Sequence, residues 1–171
     1  GLAGLAAAKR GASSVSFYDR EPLALQCCLL SAEANGLTVA VGRAGEGPAR
    51  DVSNADDDDG DACGTACVAE VFDWNAVRAD QRTFDLVLAC DVLYEAHAVA
   101  PVAALIPKLT NEAPRGRWML ADPPDRAPKN RAAFLERVKL DHGMELVRER
   151  RETVTRAGST DDVLVLDLRL R

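Results

Sequence analysis

The sequence predicts an α/β fold, a three-layer sandwich around a mostly parallel sheet that closes on an antiparallel hairpin. Three observations point there. Helical and extended signals alternate along the chain. One segment, FDLVLACDV at 84–92, is apolar almost throughout, as a strand covered on both faces must be. The last two extended segments follow one another with no helical pattern between them, so they should pair antiparallel.

The elements follow in order. Residues 2–10 are Ala-rich and stop at Gly11, which suits a helix with a glycine C-terminus. Residues 15–18 are β-prone and end at Asp19. Pro22 fits the first turn of a helix that runs through Leu23 to Ala34 and stops at Asn35-Gly36. A short strand is expected over 38–41. Residues 42–64 then break every periodicity, and a disordered acidic insertion is expected over about 42–66. Order resumes with strands at 68–74 and 84–92, a helix at 99–109, a strand at 118–121 and an amphipathic helix at 129–139. Strands at 145–154 and 162–170 close the chain around an Ala157-Gly158-Ser159 turn.

Composition bounds the function. The chain has 171 residues, of which 47% are hydrophobic, enough for one sizeable core, and a single domain over 1–171 is expected. The net charge of -6 sits in Asp51, Asp56, Asp57, Asp58, Asp59 and Asp61, which have no Lys or Arg among them. The remainder is therefore neutral, which argues against a broad nucleic-acid-binding face. That aspartate run lacks the spaced arrangement of a calcium loop. No apolar run approaches the roughly 20 residues of a membrane span. Five cysteines, Cys27, Cys28, Cys63, Cys67 and Cys90, show no repeated spacing. Neither His97 nor His142 is placed to complete a zinc site, so no metal is expected and the thiols read as reduced.

Three constellations can carry chemistry. Gly1 and Gly4 open a helix, and Asp19 ends the next strand. Glycines let backbone amides approach a nucleoside, and an acid at that strand end accepts ribose hydroxyls. Equally, Asp19 suits the cap of the helix that follows. Asp91-Val92-Leu93-Tyr94 stands at the end of the most apolar strand, where open α/β sheets bind ligands. Asp91 is also a candidate helix cap, and Tyr94 a rim residue. Asp73-Trp74 offers an aromatic face to an adenine or, equally, a side chain for the core edge.

Taken together, these segments resemble the seven-strand methyltransferases that include the calmodulin-lysine and valosin-containing-protein-lysine enzymes. The matching stretches are GLAGLAAAKRGA (1–12), FYDREPLAL (17–25), VFDW (71–74), FDLVLACDVLYE (84–95) and ADPPDR (121–126). The DW and DVLY pieces are the specific ones. The resemblance implies a class I, Rossmann-like methyltransferase with S-adenosylmethionine as cofactor. It implies Gly1 and Gly4 at the methionine side, Asp19 on the ribose, Trp74 and Cys90 at the adenine, and Asp91 and Tyr94 at the substrate amine. ADPPDR is similar to an Asp-Pro-Gly-Arg type segment, but Pro124 replaces the glycine, and no role is assigned to Asp122 or Arg126.

The implied reaction is methylation of an amine, a lysine side chain of a non-histone protein, by a monomeric enzyme that engages neither nucleic acid nor membrane; its expected location is the cytoplasm, with the nucleus or an organelle as the alternative. Methylation of arginine or a small molecule, and an impaired domain serving as an interaction module, are the alternatives. Relatives carry a strand and an acidic-glycine sequence before the point matching Gly1. The expectation is therefore a domain without its first strand that binds cofactor poorly.

Overall fold

The computed structural model describes residues 1–39, 65–77, 81–112 and 116–170. The expected acidic insertion falls outside them except for Thr65 and Ala66, as do Cys63 and the second half of the expected 38–41 strand. The chain divides into two compact units, Gly1–Asp73 and Trp74–Arg171.

The first unit runs α1 (Leu2–Lys9), β1 (Ser14–Asp19), α2 (Pro22–Ala34), β2 (Thr38–Val39) and β3 (Ala66–Val71). Its sheet has the order β1-β3-β2, with both pairings parallel. Both helices end alike, in the way their glycines predict. Gly11 (φ 90°) and Gly36 (φ 70°) take left-handed backbone. The next residues donate back into the last turn, Ala12 to the Ala7 carbonyl at 3.1 Å and Leu37 to the Ala32 carbonyl at 3.0 Å. Val15 and Phe17 of β1 point into a core with Ala8, Leu25, Ala32 and Cys67. Cys67 is fully enclosed, and burial pushes its thiol pKa up.

The second unit runs β4 (Leu86–Cys90), a single 3-10 turn (Ala96–Ala98), α3 (Val99–Ala104), α4 (Ile106–Leu109), β5 (Arg117–Asp122), α5 (Pro128–His142), β6 (Met144–Arg156) and β7 (Ser159–Leu170). Its sheet order is β4-β5-β7-β6. β4 and β5 are parallel, and β7 is antiparallel to both β5 and β6. Trp118 and Leu120 of β5, Phe134 and Val138 of α5, and Leu166 and Leu168 of β7 are buried together in this unit's core. The Trp118 indole N–H donates to the Thr110 hydroxyl at 2.5 Å, which satisfies both buried polar groups. The hairpin forms where the turn residues place it. Ala157 (φ 36°) and Gly158 (φ 89°) are both left-handed, as a two-residue type I′ turn between Arg156 and Ser159 requires.

Two expectations change. The 99–109 helix is two helices broken at Leu105, because Pro107 has no N–H to donate and its ring crowds the carbonyl four residues earlier. The 84–92 strand is shorter, Leu86–Cys90, and is not covered on both faces: Leu86 is 38% exposed. β4 is an edge strand of its sheet, so its apolar sequence is less enclosed than that of a central strand. The α/β class, the parallel pairings and the closing antiparallel hairpin are as predicted. Among the described residues no helix is long and apolar enough to cross a membrane.

Candidate functional site

In the first unit, α1 packs back along β1, so the start of the helix and the end of the strand share one edge of the sheet. Gly1 caps α1 without a side-chain bond, and its carbonyl accepts the Leu5 amide at 3.1 Å. The amides of the first turn have no acceptor within the helix. Gly4 has a packing reason of its own: a Cβ there would sit 2.5 Å from the Phe17 ring. A Cβ on Gly1 would collide with the Cys28 sulfur.

Asp19 is exposed at the end of β1. Its Oδ1 accepts the Glu21 amide at 2.9 Å, just ahead of α2, and its carbonyl accepts the Phe72 amide at 2.9 Å. The helix-entry reading of Asp19 is thus realised by one oxygen, while its exposed carboxylate can still receive hydroxyl groups. Phe72 is buried and stacks on Tyr18 with ring centroids 4.7 Å apart. It is therefore Phe72 of the VFDW segment that anchors the strand end in this unit. A carboxylate and the first-turn amides of a helix at one end of the sheet fit a nucleoside in donor and acceptor chemistry.

In the second unit, Trp74 is half-buried and Cys90 is exposed at the end of β4. Partial desolvation is the main cause that raises the Cys90 thiol pKa above its ordinary value, and the Asp122 and Asp91 carboxylates add to it.

The parallel register pairs Cys90 with Ala121 and so brings Asp91 and Asp122 side by side at the carboxyl ends of β4 and β5. The Asp91 amide donates to the Ala121 carbonyl at 2.9 Å. Asp91 itself takes left-handed backbone, φ 54°, an uncommon conformation for a side-chain-bearing residue that aspartate tolerates better than most. Its carboxylate is paired with the Arg126 guanidinium. Tyr94 lies beyond, 52% exposed at the rim.

Three residues that sequence reasoning left without a role complete this cluster. Asp122 is only 4% exposed, and its Oδ1 has no hydrogen-bond partner among the described residues. Burial pushes its carboxyl above the usual carboxylate range, Arg131 opposes that, and the Asp91 charge adds to it. Arg131 of α5 is buried beneath the Pro123–Arg126 turn. Its guanidinium donates to the Pro124 carbonyl at 2.6 Å and reaches the Pro123 and Arg126 carbonyls at 3.5 Å. Asn130 ties the same helix to the DVLY loop through the Leu93 carbonyl at 2.9 Å. The signal in the sequence was the strand-end aspartate in ADPPDR. Pairing it with Asp91 required the strand register.

The chain matches no protein-family model. No curated protein matches it either. Among solved structures it is similar to a SAM-dependent methyltransferase from Methanosarcina mazei, with a TM-score of 0.59 and 12% identity over 97% of this chain and 85% of that one. The chain has a methyltransferase fold. At this identity the likeness is one of architecture, and the chemistry must be argued from the residues.

Proposed function

We propose that the protein transfers a methyl group from S-adenosylmethionine to an amine, a lysine side chain of a non-histone protein. The observation that carries this reading is the pair of carboxylates, Asp91 and Asp122, at adjacent strand ends of a methyltransferase fold. Two acids in one place select a cationic group, and the carboxyl ends of parallel strands are where α/β sheets bind ligands.

The cofactor, when bound, supplies an electrophilic methyl carbon. The resemblance gives Gly1 and Gly4 the methionine side of the cofactor, Asp19 its ribose, and Trp74 and Cys90 its adenine. Asp91 and Tyr94 would orient the acceptor nitrogen. A lysine amine has an ordinary pKa of about 10.4 and must lose a proton before it can attack. Asp122, whose carboxyl is held above its usual range, is better matched to receive that proton than an ordinary aspartate. Orientation of the nitrogen supplies much of the remaining acceleration.

Calorimetric titration with S-adenosylmethionine, followed by incubation with cell extract and labelled-methyl cofactor, tests the reading. Weak but measurable binding, together with label in lysine side chains of proteins, is the predicted result. Absence of cofactor binding would sink it, whereas binding with label only in arginine or in small molecules would move the acceptor. The pairing of Asp91 with Arg126 favours one rival, an interaction module with a blocked site, which predicts cofactor binding without any transfer.

A further inference from the structure

The arrangement of charges around Asp91 and Asp122 says more than that an amine fits. Among the described residues Arg126 is the long cationic side chain placed against both acids: it is paired with Asp91, and its charge also acts on Asp122. Its side chain is 53% exposed and that of Asp91 39%, so the pair lies at the surface of the cluster. Arg131, by contrast, is buried and committed to the carbonyls of the turn. Opposite Asp122 on β7 stands Leu164, which brings no charge. Cys90, at the end of β4, brings a thiol whose pKa burial raises. Among the described residues Asp122 Oδ1 is thus a buried acceptor without a donor, a situation that native proteins rarely leave uncorrected.

We propose that Asp91 and Asp122 form a two-carboxylate seat for an alkylammonium group, and that Arg126 occupies its outer half as an internal stand-in which the substrate cation displaces. The incoming ammonium donates one N–H to Asp91 in place of the guanidinium. As Arg126 swings out, the seat opens and a second N–H reaches Asp122 Oδ1. Arg126 then acts as a built-in competitor that sets the threshold of acceptor affinity. Asp122, rather than Asp91, discriminates a cation with N–H donors from one without. The identity of this cation as a methyl acceptor rests on the function proposed above; the seat and its latch do not.

The test uses butylammonium as the probe and tetraethylammonium, which has no N–H, as the control. In the wild-type protein with labelled aspartate carboxyl carbons, butylammonium should shift the Asp122 and Asp91 resonances, and tetraethylammonium at equal ionic strength should leave Asp122 unmoved. Arg126→Met should bind butylammonium about threefold to fivefold more tightly, the size expected when a half-exposed ion pair no longer competes. Asp122→Asn should bind it about tenfold more weakly, as loss of a charged hydrogen bond implies. An unmoved Asp122 resonance, or equal or weaker binding by Arg126→Met, overturns the proposal. The carboxyl spectra of the wild type decide the matter even if a variant fails to fold. Cofactor titration of the same samples separates the two ideas: a seat without cofactor binding would count against methyl transfer alone.

Discussion

Replacing Arg131 by methionine keeps the aliphatic stem in the core and removes the guanidinium, so it isolates the work of one buried charge. The Pro124 carbonyl loses a short charged bond of 2.6 Å, a contact worth about 1.5–3 kcal/mol, while the two 3.5 Å contacts add little. Asp122 loses the strongest influence holding its carboxyl down. Together these predict a loss of about 2–4 kcal/mol for the charge and the bond, or a fall in Tm on the order of 10 °C for a chain of this size.

The pH dependence has a definite sign. The carboxyl of Asp122 is raised in the folded state, so its contribution is fully present below the unfolded value of about 3.9 and is lost as pH rises through the folded value. Without Arg131 the folded value climbs further, and the loss continues to higher pH. Thermal and urea melts from pH 4 to pH 8 should therefore show a deficit for Arg131→Met that widens with pH. Adding Asp122→Asn should remove the widening. A deficit that stays flat across this range, or one under about 1 kcal/mol throughout, would refute the reasoning that Arg131 compensates a buried carboxyl.

Three further outcomes follow from backbone and packing. Asp91→Gly and Asp91→Ala both remove the carboxylate and should abolish transfer, but the glycine variant should be about 1 kcal/mol more stable in urea because the site has φ 54°; an alanine variant of equal stability would deny the strain. Gly4→Ala should cost about 1–3 kcal/mol with no cofactor present, since its Cβ meets the Phe17 ring; an unchanged melt combined with weakened cofactor binding would assign Gly4 to the ligand instead. Gly158→Ala should destabilise the second unit by about 1 kcal/mol through the type I′ turn, read by chemical denaturation.

Much of the architecture was legible in advance because it rests on short-range rules. Glycine in left-handed backbone ends α1 and α2, and Gly143 does the same for α5 at φ 64°. Pro107 marks the break between α3 and α4 within an otherwise continuous apolar pattern. The apolar run of β4 implied a covered strand, yet how far a strand is enclosed depends on its place in the sheet, which residue types do not encode.

The candidate site divides the same way. Sequence alone determined that acids stand at strand ends, Asp19 as the last residue of β1 and Asp91 just after β4, because a polar residue that closes an apolar run must emerge where the strand does. It equally determined the turn residues at 157–158. Only the tertiary structure decided that Asp122 lies beside Asp91, that Arg131 is buried beneath the turn between β5 and α5, and that Arg126 takes the Asp91 carboxylate. Those are contacts between residues 31 or more positions apart or across a turn, fixed by strand register and helix docking. Local patterns specify where side chains leave an element; the pairing of elements specifies which of them meet, and hence which carboxylate oxygen stands without a hydrogen-bond partner among the described residues.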